Sequence, residues 1–307
     1  MSKSTLFIQK MNRRAEGMLT NEDINIRDPF VLVHDDTYYL YGTRGNTCWG
    51  EATGFDCYIG KDLKQWEGPY EVFHNDGNFW ADRNYWAPEC HYYNGNFYIF
   101  ASFKSEDRCR GTQILKCKEP AGKYQPITDF PITPKDWECL DGTFYVSKEG
   151  KPYIVFCHEW VQIHDGTICA LELSKDLTHS IGEPIELMKA SDAKSWIQPV
   201  KTWREGINYV TDGPSLHRMK NGSLIMIWSS MSKGGYTVGI ARSDNGEITG
   251  HWTQVEEPLF FQDGGHGMIF TGLDQTLYLT LHSPNETLKE RPVFYPLKED
   301  GDNISLR

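Results

Sequence analysis

The sequence predicts an all-β protein, a five-bladed β-propeller with four antiparallel strands in each blade. Strand-like runs restart five times along the 307 residues, at Asp28, Trp86, Asp141, Asp212 and His266. These restarts are separated by 58, 55, 71 and 54 residues, and a period of this size built from short strands is typical of a propeller. No long heptad or amphipathic helical pattern competes with it.

The elements follow in order along each repeat. Residues 1–22 have few apolar positions and are interpreted as a lead-in segment of one catalytic domain that spans residues 1–307. A second aromatic or aliphatic run follows each restart, as in Tyr38–Tyr41 and Phe97–Phe100, after a turn such as Asn94-Gly95. Third runs precede polar turns, and the tail from Glu299 is predicted to be an edge strand or frayed.

Composition excludes several classes of function. The net charge of −11 argues against nucleic acid as a partner, because phosphate binding needs clustered Lys and Arg. No apolar stretch approaches the length that crosses a bilayer, so no membrane partner is predicted. The first residues lack a secretory apolar core, which favours the cytoplasm unless a leader has been removed. The eight cysteines are predicted to be mostly free thiols, and the oligomeric state is left open.

Three of the restarts begin on an aspartate, and the first strand of each blade lines the axis of a propeller. We therefore interpret Asp28, Asp141 and Asp212 as occupying homologous positions and facing one another at one mouth. A lone aspartate beside Gly or Pro is often only a turn residue, but three at repeat positions point to a site. Gathered carboxylates are typical of glycosidic bond cleavage, where their pKa values must differ.

The chain resembles glycoside hydrolase family 43 in one stretch of every repeat. The matching stretches are Arg27-Asp28-Pro29-Phe30, Trp86-Ala87-Pro88-Glu89, Leu140-Asp141-Gly142-Thr143-Phe144, Thr211-Asp212-Gly213-Pro214 and Gly265-His266-Gly267-Met268. The resemblance implies a five-bladed propeller that removes or cuts arabinose- and xylose-containing glycans with inversion.

The resemblance also implies roles for these residues. Asp28 is expected to be the general base, and Asp141 to tune the pKa of the acid. The carboxylate before Gly213-Pro214 is expected to be the general acid, but the family normally has glutamate there, and Asp212 is one methylene shorter. Asp212 is the preferred acid and Glu159 the alternative, since the second strand of blade three ends at the same mouth.

Further residues are predicted around the site. The resemblance implies that His266 helps to hold an ion such as calcium or sodium, or a water, in the central channel, and a histidine that binds no metal is equally compatible. No cofactor is required for the chemistry. The predicted substrate-binding residues are Trp86, Glu89, His158, Trp160, Arg83 and His282.

The leading hypothesis from the sequence is an inverting, exo-acting glycosidase that removes terminal α-L-arabinofuranosyl or β-D-xylosyl residues from plant-type oligo- or polysaccharides. It rests partly on two loops, 48–56 and 76–85, which could wall off one side of the site. A β-xylosidase and an endo-arabinanase of the same fold are the alternatives. A carbohydrate-binding propeller with impaired catalysis is a further one, because aspartate stands where glutamate is expected.

Overall fold

Five antiparallel sheets surround a central axis in the structure, a computed structural model that describes residues 17–307. Blade 1 contains β1 (Leu19–Thr20), β2 (Ile26–His34), β3 (Thr37–Arg44), β4 (Gly54–Gly60) and β5 (Gln65–His74). Blade 2 contains β6 (Arg83–Tyr93), β7 (Asn96–Lys104), β8 (Gly111–Cys117) and β9 (Gln125–Pro126). Blade 3 contains β10 (Cys139–Val146), β11 (Pro152–His158), β12 (Thr167–Leu173) and β13 (Ser180–Lys189).

The remaining two blades complete the ring. Blade 4 contains β14 (Asp212–Arg218), β15 (Leu224–Ser232), β16 (Gly235–Ser243) and β17 (Trp252–Gln254). Blade 5 contains β18 (Gly265–Thr271), β19 (Leu277–Ser283), β20 (Arg291–Asp300) and β21 (Asn303–Leu306). The described helices are short: α1 (Trp160–Ile163) and the 3-10 turns Asn21–Asp23, Gly45–Thr47 and Ala190–Asp192. The predicted five-bladed, four-stranded propeller is confirmed.

Each innermost strand contains a β-bulge near its start. The residue in the bulge has a left-handed backbone in every blade, with φ of 54° at Asp28, 48° at Ala87, 56° at Asp141, 50° at Gly213 and 47° at His266. The strand pairing shifts at the same place in all five blades. A bulge redirects the side chain that it carries, and bulges are common next to active sites.

The bulges correct one expectation from the sequence. Asp28 and Asp141 occupy equivalent bulge positions, but the equivalent residue of blade 4 is Gly213, not Asp212. Asp212 precedes the bulge and pairs with Ser229, as Arg27 pairs with Thr43 in blade 1. The prediction that all three aspartates are homologous is therefore wrong by one residue for Asp212, although its carboxyl still reaches the same mouth.

Backbone hydrogen bonds link neighbouring blades around the axis. The N–H of each bulge residue donates to a side chain of the preceding blade: Ala87 to Thr43 Oγ1 at 2.8 Å, Asp141 to Ser102 Oγ at 2.8 Å, Gly213 to Asp141 Oδ2 at 3.0 Å, His266 to Ser229 Oγ at 2.8 Å, and Asp28 to His282 Nδ1 at 3.1 Å. In blade 3 Cys157 stands where the other blades have Thr, Ser or His, and the Asp141 carboxylate accepts instead.

Within residues 17–307 no strand is shared between blades 1 and 5. The short strand β1 pairs with β5 at the outer edge of its own blade, and the tail forms the outer strand β21 of blade 5. The predicted edge strand at the tail is thus present. Residues 1–16 of the predicted lead-in lie outside the described residues. Within residues 17–307 no helix has the length and apolar character that crossing a membrane requires.

Candidate active site

A cavity of about 360 Å³ opens at the mouth where the five bulges converge. All three predicted aspartates, Asp28, Asp141 and Asp212, line it, together with Glu159 and His266. Its wall also includes Arg27, Cys48, Trp49, Trp86, Trp160, Thr202, Met231, Tyr236, Asn285 and Thr287. Predicted site residues of blades 1, 3, 4 and 5 thus lie around one small cavity.

Asp28 is buried and surrounded by donors. Its Oδ2 accepts a hydrogen bond of 2.6 Å from the Thr43 hydroxyl, and its Oδ1 lies 3.3 Å from Nδ1 of His266. Burial opposes ionisation of Asp28, but the nearby His266 and Arg27 and the hydrogen bond from Thr43 outweigh it, so the pKa of Asp28 lies below its usual value. The carboxyl is therefore ionised at neutral pH, as a general base must be.

His282 supports Asp28 from below and does not line the cavity. The ring is fully buried, and its Nδ1 accepts the backbone N–H of Asp28. Burial, followed by the positive charge of Arg27, lowers the pKa of His282 to about 3. A neutral His282 can keep accepting this hydrogen bond at any ordinary pH.

Asp141 is the most enclosed of the three acids. Its Oδ2 accepts the Gly213 N–H at 3.0 Å and lies 3.4 Å from Nδ1 of His266. Burial, followed by the charge of Asp28, raises the pKa of Asp141 well above its usual value. One imidazole nitrogen therefore lies between two carboxyl groups, which couples the charge of Asp28 to that of Asp141.

Asp212 is only partly buried, and its Oδ2 accepts a hydrogen bond of 3.0 Å from the Tyr236 hydroxyl. Burial, followed by the charge of Asp141, raises the pKa of Asp212 to about 8. A carboxyl that keeps its proton at neutral pH and contacts the cavity has the properties that a general acid needs.

Glu159, the alternative acid, immediately precedes α1 and also contacts the cavity. Its Oε2 lies 3.4 Å from Nε of Arg110, and both side chains are buried. Burial raises the pKa of Glu159, whereas Arg110 lowers it in part. Because Glu159 is paired with Arg110, whereas Asp212 forms no ion pair within residues 17–307, Asp212 is the better proton donor on electrostatic grounds.

Aromatic side chains form two walls of the cavity. Trp49 and Trp86 meet edge to face at 5.5 Å on the side of blades 1 and 2. Trp160 lies 6.4 Å from Trp203, which is 79% exposed in the loop between blades 3 and 4. Flat apolar rings beside polar groups suit the binding of sugar rings. The first pair lies at blades 1 and 2, and the second follows blade 3.

Besides His282, three residues predicted to bind substrate do not line the cavity. Glu89 is buried two residues beyond the blade 2 bulge and lies 3.0 Å from Nε2 of His91. His158 stacks on Trp137 at 4.2 Å and bonds Gln162, and Arg83 pairs with Asp82 at the surface. Of the six predicted binding residues, only Trp86 and Trp160 contact the cavity.

Several cavity residues were absent from the sequence prediction. Tyr236 begins the third strand of blade 4, and Asn285 and Thr287 belong to the loop after β19. Third strands start, and second strands end, at the same end of each blade as the first strands start. Strand alternation could therefore have identified Tyr236, whereas nothing in the sequence marks the path of the loop.

Nδ1 of His266 lies near two carboxyl groups, and no group of three or more His, Cys, Asp or Glu side chains within residues 17–307 is arranged to hold a metal. The channel ion expected at His266 stays a prediction. No chemical step is therefore assigned to an ion.

Comparisons with known proteins agree with this geometry. The model of the family described as glycosyl hydrolases family 43 matches residues 23–300. An endo-arabinase structure from Bacteroides thetaiotaomicron VPI-5482 is 37% identical, with a TM-score of 0.85, covering 92% of this chain and 98% of that one. An endo-1,4-beta-xylanase structure from the same organism is 24% identical over 95% and 97% of the chains, with a TM-score of 0.75.

A curated relative adds a partial match. The extracellular endo-alpha-(1->5)-L-arabinanase 1 of Bacillus subtilis (strain 168) is 23% identical over 145 residues. The match covers 44% of this chain and 44% of that relative, less than half of its length.

Proposed function

The chain belongs to glycosyl hydrolases family 43, and we propose that it is an endo-acting, inverting hydrolase of an α-1,5-linked arabinan. The family and the glycosidase class follow from the match over residues 23–300. The polymer and the endo mode are our inference. They are supported by the relative that is 37% identical, which is named an endo-arabinase, and by the two aromatic walls described above.

Two carboxyl groups have separate roles in the proposed reaction. Asp28, ionised because of His266 and Arg27, removes a proton from the water that attacks the anomeric carbon. Asp212 donates its proton to the oxygen of the leaving sugar as the glycosidic bond breaks. Asp141 raises the pKa of Asp212, and its contact with the Gly213 N–H holds the backbone beside the acid.

The observation that carries the endo proposal is that aromatic side chains contact the cavity from two places, Trp49 and Trp86 at blades 1 and 2 and Trp160 after blade 3. An exo-acting site needs to bind one terminal sugar, whereas an internal bond needs sugars bound on both sides of the cut. Trp49 with Trp86 and Trp160 with Trp203 offer such surfaces, and the ring of Trp203 is largely exposed.

Exo-acting release of arabinofuranosyl units, the first hypothesis from the sequence, is the second candidate. One contact favours it: Nε1 of Trp49 lies 3.2 Å from the Thr287 hydroxyl. This contact joins the loops of blades 1 and 5 and narrows the cavity on that side. The loop 76–85, which the sequence also proposed as a wall, does not contribute to the cavity.

Product analysis on linear α-1,5-arabinan distinguishes the two modes. We expect arabino-oligosaccharides of several lengths early in the reaction and a fast fall in viscosity, with proton NMR showing inversion. Arabinose as the single early product would support the exo candidate instead. Inactivity on arabinan together with turnover of xylan would overturn the arabinan proposal.

The Asp28→Asn variant is the control for catalysis at this site. Its activity should be lost on every substrate that the wild type cleaves, because the amide cannot accept the proton of the attacking water. Turnover that persists in Asp28→Asn would remove Asp28 from the mechanism. Binding of arabinan without turnover by the wild type would favour a carbohydrate-binding propeller.

A further inference from the structure

A second, larger cavity of about 500 Å³ lies between blades 2 and 3 at the mouth face. It is formed by the loop before β8 and the loop before β10, and its lining includes Trp80, Arg108, Arg110, Phe130 and Lys135. We call it the side cleft. Its volume is in the range of ligand sites, and none of its residues takes part in the proposed chemistry.

Arg110 separates the side cleft from the catalytic cavity. Its guanidinium lies 3.7 Å from the centre of the Trp86 ring and 3.4 Å from Glu159, and both of those residues line the catalytic cavity. Arg110 itself lines the side cleft. Arg110 therefore lines one space and contacts residues of the other, so a chain molecule that left the catalytic cavity past Trp86 would meet Arg110 and the side cleft.

Arg110 also has an unused donor. Its side chain is 8% exposed, and its buried Nη1 has no hydrogen-bond partner among residues 17–307. An unpaired buried N–H of a charged group is costly. A hydroxyl-rich ligand in the side cleft, directly or through a water, would supply the acceptor.

Phe130 gives the side cleft an aromatic platform. Its side chain is 55% exposed, and the Arg108 guanidinium covers one face at 4.7 Å from the ring centre. The opposite face is open to pack against the C–H face of a sugar. The charged lining residues have both signs, with Arg108, Lys135 and Asp136 among them, so the cleft favours a neutral ligand over a polyanion.

We propose that the side cleft is a distal subsite for the same neutral pentose polymer, with Phe130 as its stacking residue. The inference rests on the proposed function, because it assigns the cleft to the polymer that the catalytic cavity cuts. A polymer long enough to pass Trp86 and Arg110 gains contacts there, whereas a short oligosaccharide confined to the catalytic cavity does not. Phe130 is thus a specificity-determining residue for chain length.

The test compares kcat/KM on linear α-1,5-arabinan with kcat/KM on a short oligosaccharide of the same linkage. In Phe130→Ala the ratio of polymer to oligomer should fall by about tenfold, equivalent to about 1.4 kcal/mol of lost binding to the transition state. Phe130→Tyr keeps an aromatic face and should restore the ratio. Tyr92→Ala is the matched control, since Tyr92 is 52% exposed at the other end of blade 2.

The outcomes separate this inference from the proposed function. A wild type that does not cleave arabinan contradicts the proposed function. A wild type that cleaves arabinan, with an unchanged ratio in Phe130→Ala, contradicts the distal subsite alone. An equal loss in Tyr92→Ala would also overturn it, because the effect would then not depend on the side cleft. If Phe130→Ala lowered kcat/KM on an acidic polysaccharide and left the ratio for arabinan unchanged, a neutral polymer would be the wrong class of ligand.

Discussion

Asp212 combines two properties that no other carboxyl in the cavity shares: it is partly exposed, and it forms no ion pair with the part of the chain that the structure describes. Its pKa, raised to about 8 by burial and then by Asp141, keeps the proton in place while Asp28 is ionised. The active protonation state therefore exists between the lowered pKa of Asp28 and the raised pKa of Asp212. Activity should be lost as the pH rises through about 8, because Asp212 then loses the proton that it must donate.

The prediction at this residue concerns the leaving group. Asp212→Asn should reduce kcat/KM on arabino-oligosaccharides by about 10²- to 10⁴-fold, the usual contribution of a general acid. Substrates with an activated aryl leaving group need little protonation and should retain most of their turnover. For those substrates the alkaline limb of the pH profile should disappear in Asp212→Asn.

Glu159→Gln is the matched comparison, because Glu159 lines the same cavity but is paired with Arg110. It should lower activity on natural and activated substrates alike. If instead Glu159→Gln shows the dependence on leaving group and Asp212→Asn does not, the acid is Glu159.

At the scale of single elements, the bulge of β14 places the acid. Gly213 has a φ of 50°, and a Cβ added there would lie 2.7 Å from Cγ and Cδ2 of the His266 ring. Gly213→Ala should therefore displace His266, which lies between Asp28 and Asp141, and reduce kcat with a loss of stability of about 1–3 kcal/mol. Steady-state kinetics and thermal unfolding measure both effects.

Ala87 supplies the control for this prediction. It occupies the equivalent bulge position of blade 2 with a φ of 48°, so alanine is tolerated in this backbone conformation. Ala87→Gly should change kcat little, since it removes only a methyl group away from the three acids. A Gly213→Ala variant as active as Ala87→Gly would show that the position of His266 does not matter for catalysis.

The innermost strands also show which features could be predicted from the sequence. The restarts, the turns and the axial aspartates follow from strand period and turn chemistry, and all of these features are present. The offset of Asp212 could not be seen, because a bulge inserts a residue without changing the apolar pattern. Likewise Thr287 reaches the cavity through a loop, whose path depends on tertiary contacts such as that of Trp49 with Thr287.

At the scale of the whole molecule, side chains join blades 1 and 5 and so close the ring of described strands. Arg27 Nη1 lies 2.7 Å from Glu290 Oε1, and the Asn25 amide donates to the Glu290 carbonyl at 3.0 Å. Trp66 of blade 1 stacks on Phe294 of blade 5 at 6.1 Å. Because Arg27 precedes Asp28, the closure and the catalytic base depend on the same short segment.

Glu290 provides the test of this closure. Its side chain is 1% exposed, and Arg27 is 11% exposed, so Glu290→Gln leaves a largely buried guanidinium without its counter-charge. Breaking a buried ion pair from one side usually costs about 3–5 kcal/mol, so the melting temperature should fall by several degrees or more.

The matched control is Glu286→Gln in the same loop, whose carboxylate pairs with Lys289 and is 59% exposed. An exposed pair contributes about 1 kcal/mol at most, so this control should melt close to the wild type. Equal melting temperatures for the two variants would mean that the Arg27–Glu290 pair does not hold blades 1 and 5 together.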